Sequence, residues 1–123
     1  MPDYDIHTNV RYAPFERIDI GRDAARAPSA WWNQTLCAVN DSVVRLGVFE
    51  QGEFHWHRHE HEDEFFLVLE GRLMIDVEDD TKSIVLDPRQ GYVVPRGAVH
   101  RIRVEERTVV LMVEASSITP TGD

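Results

Sequence analysis

An all-β domain is the fold class that this chain predicts, on three observations. From about Asp41 onward, short runs rich in Val, Ile, Leu and Phe alternate with turn residues, which is the pattern of a β-sandwich or barrel. Glycine and proline punctuate those runs at Gly52, Gly71, Pro88, Gly91, Pro95 and Gly97, where a hydrogen-bonded ladder has to break or turn. Helical character is confined to Asp23-Ala24-Ala25-Arg26-Ala27, which Pro28 would stop.

The elements follow in order. Residues 1–40 read as an arm, with Ile18 and Ile20, or Trp31 and Trp32, packing on the outside of the barrel or on a second subunit; an apolar arm of this kind commonly covers a sheet edge. Residues 43–49 form the first strand, and Gln51-Gly52-Glu53 turns into a second over residues 54–59. Residues 65–69 end at the tight turn Glu70-Gly71 and return as 72–77. Glu78-Asp79-Asp80 is a solvated turn before a strand at 82–86, and Asp87-Pro88-Arg89-Gln90-Gly91 is another break. Residues 92–94, 99–104 and 108–114 complete a set of eight or nine strands, so the barrel spans 41–115 and residues 116–123 read as a loose C-terminal tail.

A chain of 123 residues makes one domain with one core. Its formal net charge of -9 argues against a nucleic-acid partner, because phosphate binding needs a basic stripe. Cys37 is the only cysteine, so no intrachain disulfide forms, thiolates do not build a site, and a reducing, cytoplasmic setting is expected. The start Met1-Pro2-Asp3-Tyr4-Asp5 lacks the basic and apolar regions of a signal peptide, and no apolar run reaches the length of a membrane span. A soluble, unexported protein is expected.

The chemistry-bearing segment is His55-Trp56-His57-Arg58-His59-Glu60-His61-Glu62-Asp63-Glu64, with His100 arriving shortly after Pro95-Arg96-Gly97. Imidazoles and a carboxylate at this spacing suit a divalent transition metal. In a strand, residues two apart face the same side, so His57 and His59 can approach one ion, with Glu64 returning from the next strand. His55 and His61 share that parity.

In these residues the chain resembles the cupin superfamily, whose first motif is G-x5-H-x-H-x3-4-E-x6-G. His57-x-His59, four intervening residues, Glu64, six intervening residues and Gly71 match it. Gly52 precedes His57 with four intervening residues where the pattern has five, which touches a turn and leaves the ligands unaffected. Of the second motif, G-x5-7-P-x-G-x2-H-x3-N, Pro95-x-Gly97-x2-His100 is present; Gly91 is only three intervening residues before Pro95, and Val104 stands at the asparagine position. The resemblance covers roughly residues 43–114. It implies a double-stranded β-helix (jelly-roll) barrel, a homodimer, and His57, His59, Glu64 and His100 as ligands of Fe, Mn, Ni, Cu or Zn. The position of Glu64 decides against pairs built on His55 or His61; His61 then falls in the acidic turn, and His7 carries no site signal.

Three histidines and a glutamate leave about two positions of an octahedral ion open, which is the chemical argument for catalysis. Parity adds Phe66 and Val68 after Glu64, and Ile102 after His100, to the cavity wall; Leu46 and Val48 form an apolar face expected to join them, and His55 lies at the mouth. Arg45, Arg101 and Arg103 fall on the outward parity, and neither an inward lysine nor a second inward carboxylate is evident. The expected ligand is a small, partly apolar molecule. The leading expectation is a metal-dependent, dioxygenase-like enzyme; the alternatives are a metal-dependent isomerase or cyclase, or a non-catalytic module that binds or senses a small ligand.

Overall fold

The computed structural model of the chain describes residues 3–78 and 83–123. Asp79, Asp80 and Lys82, assigned above to a turn and a strand start, lie outside the described residues. The elements are β1 (Asp5–His7), α1 (Ile20–Ala25), β2 (Trp31–Val39), β3 (Ser42–Phe49), β4 (Gly52–Glu53), β5 (Glu64–Glu70), β6 (Leu73–Val77), β7 (Ile84–Leu86), β8 (Gly91–Val94), β9 (His100–Val104) and β10 (Thr108–Ala115). They form a six-stranded sheet in the order β1-β2-β3-β10-β5-β8 facing a four-stranded sheet in the order β4-β9-β6-β7. This is the all-β double-stranded β-helix expected.

Two apolar clusters hold it together. The interior one packs Trp31, Phe49, Phe54, Phe66, Val68, Leu73, Ile75, Ile102, Val110 and Met112 between the sheets, each large side chain contributing about 1.5–3 kcal/mol by leaving water. The second lies on the outer face of the larger sheet, where Trp32, Leu36, Leu46, Val48 and Val109 meet Tyr12 and Ala24 of the N-terminal segment. That segment is pinned by polar bonds as well: Tyr12 Oη donates to Asp23 Oδ2 at 2.5 Å, and Arg107 donates to the Ala24 carbonyl at 2.9 Å. Helix α1 starts where Asp19 caps it by accepting from the Arg22 N–H.

The arm is shorter than the sequence suggested. Residues 31–39, placed in the arm by their distance from the histidine run, are the strand β2, antiparallel to β3 from Trp31↔Phe49 to Val39↔Ser42. Trp31 and Trp32 consequently lie in the two cores on opposite faces of one strand. With β1 included, the described residues hold ten strands rather than eight or nine.

The strand expected over 54–59 is only Gly52–Glu53 plus an isolated bridge in which His57 and His100 exchange backbone bonds of 2.9 and 2.8 Å. At the β5–β6 corner Gly71 has φ +82°, and a Cβ there would stand 2.5 Å from the Arg107 carbonyl. Only glycine fits that approach.

Candidate metal centre

Glu64 opens β5 and His100 opens β9, so the barrel's two sheets each deliver a side chain to the interior at one end. His57 is aligned with His100 by their shared bridge, and the carbonyl of His59 accepts the Gly97 N–H at 2.8 Å, which ties the histidine loop to the turn before β9. One ligand atom from each of His57, His59, Glu64 and His100 lies within 4.8 Å of the other three. His59, Glu64 and His100 are buried, and His57 is half-buried.

The hydrogen bonds fix which nitrogens face inward. Nδ1 of His57 lies 3.0 Å from the His55 carbonyl and Nδ1 of His100 lies 3.0 Å from the Ala98 carbonyl. A carbonyl only accepts, so each Nδ1 carries the proton and each Nε2 turns a lone pair inward. Burial, more than the neighbouring imidazoles, pushes His57 down to about 3 and lowers His59 and His100 as well. The three rings are therefore neutral at pH 7.

Nε2 of His100 stands 3.2 Å from Glu64 Oε1, and Nε2 of His59 stands 3.7 Å from the same oxygen. Both nitrogens of His59 are buried without a hydrogen-bond partner among the described residues. Unpaired ring nitrogens in a dry site are costly unless a cation lies beside them. Neighbouring ligands on an ion with bonds of about 2.1 Å stand about 3 Å apart, so the residues fit a divalent transition ion. The donor set of imidazoles and one carboxylate suits Fe, Mn, Ni, Cu or Zn. His61, on the same parity, is exposed and outside the cluster.

The cavity beside this cluster has a volume of about 20 Å³ and is lined by Asn33, Phe49, Phe54, His57, Glu64, Phe66, Ile102, Met112 and Pro120. Phe66 and Ile102 thus line it as parity suggested, and Val68 is buried in the interior core. Leu46 and Val48 are elsewhere: they lie in the outer cluster under the N-terminal segment. Around β3 the sheet is buried on both faces, so the apolar row of β3 turns outward to the arm and the row Arg45, Gly47, Phe49 turns inward.

That inversion makes Arg45 a buried interior residue, 2% exposed, rather than an outward one. Its Nε and one Nη donate to Asn33 Oδ1 at 2.9 and 2.6 Å, its other Nη donates to Thr35 Oγ1 at 2.7 Å, and Glu114 Oε1 lies 3.3 Å from its Nε. Glu114 faces Glu64 across the β5–β10 ladder and is the second inward carboxylate that the sequence reading lacked. Burial first, and then the adjacent Glu64, pushes Glu114 up to about 10. Burial raises Glu64 too, against the pull of Arg45. Alternation along β10 from buried Val110 and Met112 was the available signal for Glu114. Arg101 and Arg103 do face outward, donating to Asp76 at 2.9 and 2.7 Å.

The segment expected to be a loose tail closes the mouth. His55 Nε2 donates to the Thr121 carbonyl at 2.6 Å, the Asp123 N–H donates to the Arg58 carbonyl at 3.0 Å, and Asp123 Oδ2 accepts the Glu60 N–H at 2.7 Å. Ile118 is buried and Pro120 reaches the cavity. His55 is thereby a latch between this segment and Tyr4, whose Oη accepts the His55 backbone N–H at 2.9 Å. Charge-poor residues after the last strand gave no hint of this, because the docking depends on the loop they meet.

A sequence model of the cupin domain matches residues 45–114. Over 82 residues, 67% of this chain and 71% of the relative, the sequence is 48% identical to the protein YdbB of Bacillus subtilis (strain 168). The fold is similar to that of a cupin-2 domain containing protein from Shewanella frigidimarina NCIMB 400, with a TM-score of 0.73 and 31% identity over 80% of this chain and 93% of that one. It is also similar to KdgF from Halomonas sp., with a TM-score of 0.64 and 18% identity over 72% and 82% of the respective chains, a likeness of fold alone.

Proposed function

This chain belongs to the cupin-domain family, and on that premise we propose that it is a metal-dependent enzyme acting on a small organic molecule, with dioxygenase-like chemistry. The observation that carries the reading is the convergence of one ligand atom each from His57, His59, Glu64 and His100 within 4.8 Å of one another, with neither His59 nitrogen hydrogen-bonded among the described residues. His57, His59, Glu64 and His100 would hold the ion. A bound divalent ion would supply a Lewis acid with about two open positions and, where redox-active, a site for dioxygen beside the substrate.

The chain's own groups do the rest. The carbonyls of His55 and Ala98 orient two of the imidazoles. Phe49, Phe54, Phe66, Ile102 and Met112 give an apolar wall that excludes water and selects a partly apolar ligand. A space of about 20 Å³ admits little more than a water, so an organic ligand enters only when the segment carrying Pro120 swings away. Closure behind it would then keep the site dry.

Glu114 favours a second reading, a metal-dependent isomerase or cyclase, because a raised carboxyl opposite Glu64, which does line the cavity, could pass a proton through Glu64 to a substrate. The partner expected in solution is a second copy of the chain. The readings separate on protein purified without a histidine tag, loaded anaerobically with Fe(II) and assayed for oxygen uptake across a panel of small carbonyl compounds and organic acids. Substrate-dependent uptake supports the oxygenase. Metal bound without uptake, together with solvent deuterium exchange into the substrate, supports the isomerase; metal bound with neither leaves the ligand-sensing module.

A further inference from the structure

Asn33 is 9% exposed, lines the cavity, and has its side-chain orientation determined by its neighbour. Arg45 has only donors, and two of them, Nε and an Nη, reach the single atom Asn33 Oδ1 at 2.9 and 2.6 Å. The carboxamide cannot be turned over without setting its own N–H groups against those of a guanidinium that is 2% exposed. Arg45 is in turn fixed by Thr35 Oγ1 at 2.7 Å and by Glu114 at 3.3 Å. Oδ1 being committed, Nδ2 is the carboxamide atom left to donate at the cavity that Asn33 lines.

Among the described lining residues the other polar side chains, His57 and Glu64, are ligands of the proposed ion, and Phe49, Phe54, Phe66, Ile102, Pro120 and the thioether Met112 offer no strong donor. We infer that Asn33 is the specificity-determining residue of the site, donating from Nδ2 to an oxygen of the bound ligand, and that the ligand class is a small organic acid or 2-oxo acid with an apolar body. The inference rests on the metal reading above and names its substrate class. A donor in a dry cavity discriminates strongly, because a ligand lacking the oxygen leaves the N–H groups unpaired. An amine in that position would meet a donor and be rejected.

The test uses Co(II)-loaded protein and the visible absorption of the bound ion, titrated with 2-oxobutyrate and, separately, with imidazole, which brings no acceptor oxygen. Two variants are compared with wild type. Asn33→Asp keeps an oxygen for Arg45 and removes the donor; Asn33→Ala removes the donor without adding charge. Both are expected to bind 2-oxobutyrate about tenfold to a hundredfold more weakly, the range for a hydrogen bond to a charged group, with imidazole affinity within about twofold, as for a change at a group the probe does not touch. Equal losses for both probes would reduce Asn33 to a structural role and overturn the inference. So would unchanged 2-oxobutyrate affinity in Asn33→Ala, or no response of the wild type to 2-oxobutyrate. A wild type that develops no cobalt band would instead overturn the metal reading, and this inference with it.

Discussion

Glu64 and Glu114 sit directly opposite one another in the antiparallel β5–β10 ladder, both buried, with only Glu64 reaching the histidine cluster. Two carboxyls in one dry site do not both ionise. Burial raises both carboxyls, Glu114 to about 10, and the Arg45 guanidinium pulls against that rise in each. Arg45 supplies the opposite charge from behind, 3.3 Å from Glu114.

Arg45→Leu should therefore cost about 2–4 kcal/mol of folding stability, the range for removing one partner of a buried charged network. Asn33 and Thr35 would lose their donor and Glu114 its ion-pair partner. Urea unfolding measures this; a change under about 0.5 kcal/mol, typical of an exposed site, would show that Arg45 is not the interior residue described.

His61→Ala should leave metal uptake unaltered, because His61 is exposed and outside the cluster although it shares the parity of His57 and His59. Equilibrium dialysis with Mn(II) reads it directly. A loss of binding in this variant would mean that the ligand register is one pair further along the chain.

Gly122 has φ +96°, and a Cβ there would stand 2.6 Å from His57 Cβ. Gly122→Val should lift the closing segment from the cavity mouth, since a β-branched residue in that conformation costs about 1–3 kcal/mol. Stripping of a loaded ion by a chelator should then quicken about tenfold, the change that 1.4 kcal/mol produces. An unchanged stripping rate would show that the segment does not control access.

Asp76 supplies a pH prediction away from the site. Burial alone would raise its carboxyl, but hydrogen bonds from Arg103, Ser83 and Arg101 outweigh that and hold it at about 2, below the ordinary 3.8. A folded value below the unfolded one stabilises the protein above pH about 4 and is lost as pH falls toward about 2. Asp76→Asn should cost about 1–2 kcal/mol at pH 7, allowing for partly exposed arginine partners, and should flatten stability between pH 4 and 2. Thermal unfolding across that range checks both parts; a slope equal to that of wild type would remove Asp76 as its source.

The fold and the convergence of the four side chains were legible because each depends on local rules. Turn glycines such as Gly71 mark strand ends, and His57, His59, Glu64 and His100 stand at spacings that a barrel brings together. What was not legible depends on which face of a strand is covered, and by what. Leu46 and Val48 look like interior residues until the N-terminal segment is seen to bury the outer face, and Arg45 looks like surface until its acceptors on β2 and β10 are known. Residues 116–123 read as loose for the same reason: their partners, His55, Arg58 and Glu60, lie more than fifty positions away.

The most direct test of the central claim is native mass spectrometry of untagged protein after loading with Co(II) and removal of excess. One ion per chain is expected for wild type, and none for His59→Ala, whose barrel should stay folded because the interior cluster does not include His59. Equal uptake by the two proteins, or none by wild type, would contradict the assignment of His57, His59, Glu64 and His100 as a metal centre.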